Sequence, residues 1–150
     1  RHGFSEWLDR NDLEGGRAWL RERCGIDERA ADQIARYLSV ARTNLGVLPT
    51  RDHLVIERFF DDTGGMQLVV HSPLGGRINR GLGLALRKKF CVNFDFELQA
   101  TATDDGLNFA LGSGLSMPVD EVFTYLNERT IEDVLEQAIL QAPLWGTRWR

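Results

Sequence analysis

Between Thr63 and Phe94 the chain carries no Asp or Glu, yet it carries Arg77, Arg80, Arg87, Lys88 and Lys89. Cationic side chains grouped this way do one kind of chemistry well. They hold phosphate oxygens, Arg through its planar fork and Lys as a point charge. If the stretch is helical, advancing about 100° per residue, Arg77, Arg80, Arg87 and Lys88 share one side, opposite Ile78, Leu82 and Leu86. Gly75-Gly76 stands immediately before the basic run, where unpaired helix N–H groups and the positive end of the helix dipole attract anions. Arg77, Arg80, Arg87, Lys88, Gly75 and Gly76 are therefore the candidate nucleic-acid-binding residues. A solvated cationic face, paired with acids elsewhere on the chain, accounts for the same residues equally well.

Other chemistries fit less well. Gly76-Arg77-Ile78-Asn79-Arg80-Gly81 has the glycine spacing of a phosphate loop, but Leu82-Gly83 stands where Lys and Ser/Thr are needed for phosphate and magnesium. No other segment supplies such a loop, so the chain is not expected to hydrolyse ATP or to be catalytic alone. His53 and His71 lie in strand-like segments without a third ligand at metal spacing and read as structural residues. His71-Ser72 does not make a base and nucleophile, because adjacent strand residues point to opposite faces and no acid partner is evident. Asp61-Asp62 and Asp104-Asp105 each precede a glycine and read as turn formers. Asp95 and Glu97 share the polar face of a strand and read as solvated or paired with the basic helix. Leu144 to Arg150 interleaves Trp145 and Trp149 with Arg148 and Arg150. That composition suits base stacking or an anchor packed against further chain, and the anchor is the favoured reading.

The elements that position these residues follow from periodicity. Asp12 to Cys24 reads as a helix broken by Gly25, and Asp27 as the N-cap of an amphipathic helix through Ala30, Ala31, Ile34, Leu38 and Ala41 that ends at Gly46 and Pro49. His53 to Phe60 and Met66 to His71 form a hairpin across Asp61 to Gly65. The basic helix follows, with Ile78, Leu82, Leu86 and Phe90 as its buried stripe. Phe94 to Ala102 alternates apolar and polar residues as a strand, and Asp104-Asp105-Gly106 turns it into a second hairpin through Leu107, Phe109 and Leu111. Pro118 opens a helix before Val122, Phe123 and Leu126, and Thr130 with Asp133 resembles a capping box for another. The expected fold is α+β: an antiparallel sheet of two β-hairpins with an intervening amphipathic helix, flanked by N- and C-terminal helices.

The chain has 150 residues, 43% hydrophobic and 27% charged, enough for one core. Its net charge of -4 confines any phosphate binding to a local patch. Two distant cysteines, Cys24 and Cys91, and the lack of a long apolar run point to a reducing, cytoplasmic setting without a membrane. Starting at Arg1 and ending on Trp149-Arg150, the chain reads as a fragment, with 1–46 a helical segment of a neighbouring or preceding domain and 47–150 an α+β core truncated at its C-terminal end.

Leu54 to His71, Arg77-Ile78-Asn79-Arg80, Gly83 to Cys91, Phe94 to Ala100, the acidic turn Asp104-Asp105, Ala142-Pro143 and Thr147 to Arg150 together resemble, in order, the DEAD/H-associated region of Lhr-type helicases. The resemblance implies a parent with two RecA-like motor domains that use ATP and magnesium, a winged-helix domain, and this region after them. Such a parent moves 3′ to 5′ on single-stranded DNA and unwinds DNA or RNA:DNA duplexes. The resemblance further implies that this piece helps hold or guide the strand through the motif bearing Arg77 and Arg80, with single-stranded DNA or an RNA:DNA hybrid and the RecA-like and winged-helix domains as its partners. A structural or protein-docking role in the same parent is the alternative. Leu74 and Gly81-Leu82 replace the aromatic and Ala-Trp often found in the family, so no ring is available there to stack on a base.

Overall fold

The computed structural model describes residues 1–94, 98–113 and 118–141, which divide into two compact units, Arg1–Val55 and Ile56–Arg150. The segment after Gly46 packs back onto the helices before it, with Leu48 buried among them.

The first unit is helical. α1 (His2–Asp9) precedes the helices expected from the pattern, followed by α2 (Leu13–Cys24) and α3 (Glu28–Leu45). The Asp12 carboxylate accepts from the Gly15 N–H at 2.8 Å and Asp27 accepts from Ala30 at 2.7 Å, satisfying donors that helix starts leave open. α3 ends at Gly46, whose φ of 75° suits a residue without Cβ. Phe4, Leu20, Ala31, Ala35, Leu38 and Leu48 form the core, with Trp7 and Trp19 against it.

The second unit is α+β. β1 (Val55–Phe60) and β2 (Gly65–His71) form the first hairpin, α4 (Gly76–Phe94) follows, and β3 (Leu98–Ala102) and β4 (Gly106–Ser113) form the second. A 3-10 turn (Val122–Tyr125) and α5 (Ile131–Leu140) complete the described chain. The four-stranded sheet has the order β1-β2-β4-β3. β2 and β4 pair antiparallel at its centre, with Val69 opposite Asn108, and β3 lies at one edge, paired with β4. α4 packs on β3, β4 and α5. Met66, Leu68, Val70, Leu107, Phe109 and Leu111 alternate along their strands as one buried face, and Phe90 meets Phe109 edge-on at 5.5 Å. Each large apolar side chain so buried stabilises the fold by about 2 kcal/mol.

Several expectations change. Leu86 and Phe90 are buried in α4 as expected, but Ile78 is 52% exposed and Leu82 only half-buried, and Asn79 and Gly83 complete the buried stripe in their place. Phe94 ends α4 rather than opening a strand, and β3 begins at Leu98, because the helix continues to complete its packing with Tyr125 against Phe90 and Phe94. The first of the two C-terminal helices is only the short 3-10 turn. Thr130 is the N-cap of α5 without a side-chain cap hydrogen bond, so the capping box does not form. Asp95, Glu97 and the run from Leu144 to Arg150 lie outside the described residues. No described helix is long and apolar enough to cross a membrane.

Candidate nucleic-acid interface

Asn79 organises the start of α4. It is fully buried, and its Nδ2 donates to the carbonyls of Ser72 at 2.8 Å, Thr103 at 2.9 Å and Asp104 at 3.3 Å. Its Oδ1 accepts from the equally buried Ser72 hydroxyl at 2.7 Å. One amide thus ties the end of β2, the helix and the β3–β4 turn together, with every bond made inside the protein where leaving it unmade is costly. The Ser72 hydroxyl is committed to Asn79, which removes it as a nucleophile, and the His71 ring is held by Glu57 across the first hairpin.

The two glycines before the basic run are not open phosphate donors as expected. The Gly76 N–H donates to the Asp104 carboxylate at 2.8 Å, and the Gly75 N–H donates to the Asp104 carbonyl at 3.2 Å. A Cβ built on Gly76 would lie 2.6 Å from Asp104 Oδ1, so the glycine makes room for an acidic cap from the neighbouring turn. Gly75, with φ of 89°, turns the chain into the helix. The protein's own carboxylate therefore occupies the place where an anion would bind the helix dipole.

Arg77, Arg80 and Arg87 are exposed on α4. None of them forms an ion pair with a carboxylate among the described residues. Arg87 fixes its stem by donating from Nε to the Leu98 carbonyl at 3.2 Å. Lys88 is half-buried and donates from its ammonium to Gln141 Oε1 at 2.7 Å. Arg77 and Arg80 open on a depression of about 780 Å³ shared with Leu74, Ile78 and Asp104.

These residues do not fit a bound nucleotide. Gly76 to Gly81 is continuous helix rather than a loop, its first donor is taken by Asp104, and no Lys or Ser/Thr follows to reach phosphate or magnesium. Among the described residues no group of three or more His, Cys, Asp or Glu is placed to hold a metal. The Asp61 carboxyl is held low, at about 2, chiefly by the Thr63 hydroxyl and then by Gln67 and the Gly65 N–H. It is the lock of the first hairpin turn, accepting from Thr63, Gly65 and Gln67 at 2.7 to 2.9 Å.

Residues 48–150 match the family described as DEAD/H associated. Among curated relatives, the Lhr helicase/probable uracil glycosylase of Mycolicibacterium smegmatis is 28% identical over 130 residues, which are 86% of this chain and 9% of that protein. The Lhr helicase/uracil glycosylase of Escherichia coli is 24% identical, covering 88% of this chain and 8% of that protein. The ATP-dependent helicase Lhr-Core of Methanothermobacter thermautotrophicus is 27% identical, covering 83% and 14%. A solved structure of the Mycobacterium smegmatis helicase Lhr bound to ssDNA and AMP-PNP superposes with a TM-score of 0.72 at 26% identity, over 88% of this chain and 17% of that one. The chain thus spans about a tenth of the length of these relatives.

Proposed function

The chain belongs to the DEAD/H associated family, as the region found in Lhr-type helicases, and on that premise we propose that it helps a longer ATP-dependent helicase hold or guide single-stranded nucleic acid. The observation that carries this reading is the set Arg77, Arg80 and Arg87: three exposed guanidinium groups on one helix, none paired with a described carboxylate. Unpaired arginines on an otherwise acidic chain favour a phosphate backbone over internal neutralisation. Asp104 takes the helix N-terminus, so the grip falls to side chains rather than to the Gly75 and Gly76 donors. ATP and magnesium would be used by RecA-like motor domains elsewhere in the longer chain, next to a winged-helix domain. The strand would come from a DNA duplex or an RNA:DNA hybrid.

The test is single-strand binding by the full-length helicase carrying Arg77→Ala and Arg80→Ala. Each lost phosphate contact lowers the slope of log K against log salt by about 0.7 for single strands. The double variant is expected to lose about 1.4 of slope while its thermal unfolding is unchanged. Wild-type binding and unwinding by this variant would overturn the reading.

A second reading, a docking module within the same helicase, draws on Phe59 and Phe60. They are 51% and 57% exposed on β1, at the sheet edge opposite β3, and rings so exposed mark a surface for another protein segment. It separates from the first by predicting no change of salt slope when the arginines are removed.

A further inference from the structure

We infer that a depression on the outer face of the sheet, beside Asn108, is a binding site for a guanidinium group. Strand alternation puts Leu68, Val70, Leu107 and Phe109 on the buried face, and Gln67, Val69, Asn108 and Thr101 on the other. On that other face a row of hydrogen bonds crosses the sheet. Gln67 Nε2 donates to the Asp61 carboxylate at 2.9 Å, and Asn108 Nδ2 donates to Gln67 Oε1 at 3.2 Å. Asp61 titrates at about 2, and a carboxylate only accepts, so the direction of both amides is set from that end. The row ends on Asn108 Oδ1. That oxygen is closed to water and meets no donor among the described residues. A buried acceptor left in this way is costly, and Asn108 cannot relieve it by turning over, which would set its oxygen against that of Gln67.

Asn108 also lines a depression of about 240 Å³ with Val69, His71, Thr101, Thr103 and Asp105. The polar groups there accept hydrogen bonds: the Asn108 amide oxygen, the two threonine hydroxyls and the Asp105 carboxylate. No Lys or Arg lines it, and the His71 ring is engaged by Glu57. Such surroundings repel an anion and suit a cation that carries N–H donors. Thr101 stands beside Asn108 in the β3–β4 register, while Asp105 lies in the turn that joins the two strands, so the acceptors are spread along the depression. A guanidinium presents its donors as a planar fork and meets spread acceptors together, whereas an ammonium gathers its donors at one point. Val69 supplies an apolar wall for the alkyl stem. Because Oδ1 is covered, the entering donor parts the side chains above it, and the new bond then completes the row that begins at Asp61. None of Arg77, Arg80 and Arg87 lines this depression, so the site does not depend on the strand-holding role.

The test reads protection of a thiol placed in the depression. In the full-length helicase carrying Val69→Cys, alkylation of the new thiol, followed by peptide mass spectrometry, is expected to be slowed saturably by N-ethylguanidinium, by the end-blocked peptide Gly-Gly-Arg-Gly-Gly, or by both. Protection by the free compound shows that the site takes a small guanidino ligand; protection by the peptide alone shows that it takes an arginine of another polypeptide segment. Tetramethylammonium, of the same charge but without N–H donors, is expected to give none. Adding Asn108→Leu is expected to raise the half-protecting concentration by about 10-fold, as for a lost hydrogen bond to a charged group. The unfolding midpoint of that variant does not fall, because the unmet oxygen leaves with the side chain. Absence of protection by both guanidinium ligands, equal protection by tetramethylammonium, or protection unchanged by Asn108→Leu overturns the site. A thiol that does not react even before ligand is added also overturns it, since the helicase itself then fills the depression. Should Asn108→Leu unfold, the comparison of the two cations decides alone.

Discussion

Replacing Asn79 with Ala tests the frame on which the interface is built. The substitution removes four hydrogen bonds at once: three donated to carbonyls of Ser72, Thr103 and Asp104, and one accepted from the Ser72 hydroxyl. Thr103 and Asp104 belong to a turn that water reaches, so their carbonyls find new partners cheaply. Ser72 is fully buried, and its carbonyl and hydroxyl would lose these partners. At about 1 to 3 kcal/mol for each buried group left unsatisfied, the expected loss is about 3 kcal/mol. For a unit of this size that lowers the midpoint of thermal unfolding by roughly 12 to 24 °C. Adding Ser72→Ala removes the orphaned hydroxyl, so the double variant is expected to recover about 1 kcal/mol relative to the sum of the single losses. The assay is thermal unfolding of the chain, with hydrogen exchange at Gly76 reporting the joint between α4 and the β3–β4 turn. A loss below about 1 kcal/mol, or exchange at Gly76 unchanged, would refute the view that Asn79 holds these three segments together.

Further consequences follow from the same geometry. Gly76→Ala pushes out the Asp104 carboxylate and is expected to cost about 1 kcal/mol, as does Asp104→Ala, with little further loss when both are made, because they remove one cap; denaturant unfolding of the three variants checks this. Asp61 titrates at about 2 in the folded chain, below its ordinary value, so its contribution to stability is present above pH 4 and is lost as pH falls from 4 to 2. Asp61→Asn should flatten that part of the stability profile, measured by unfolding midpoints across this range. Lys88→Ala should change the salt slope of single-strand binding less than Arg80→Ala, because the Lys88 ammonium is already turned to Gln141.

Local signals in the sequence were strong where the physics is local. Asp27 before an apolar repeat and Gly46 after it mark both ends of α3, and the glycine turns mark both hairpins. The exposed arginines of α4 were legible for the same reason, since a helix period assigns them a side. The buried side was read in part: Leu86 and Phe90 are buried as expected, Ile78 and Leu82 are not. Ile78, Leu82, Leu86 and Phe90 step by four, and each step advances about 40°, so the four spread over about 120°. Asn79, Gly83, Leu86 and Phe90 step by four, three and four and stay within about 60°. The signal for Asn79 was its seven-residue spacing from Leu86, hidden because a polar residue between two arginines looks like more of the wet face. Asp104 reaches Gly76 across 28 residues of sequence, and the central pairing of β2 with β4 spans still more, as between His71 and Gly106 or Val69 and Asn108. Contacts of that range leave no periodic trace in one chain.

The most direct test of the central claim is the salt dependence of single-strand binding by the full-length helicase, wild type against Arg77→Ala/Arg80→Ala/Arg87→Ala. Three phosphate contacts at about 0.7 each predict a slope shallower by about 2. An unchanged slope, in a variant whose unfolding temperature matches wild type, would contradict the claim that α4 grips the strand.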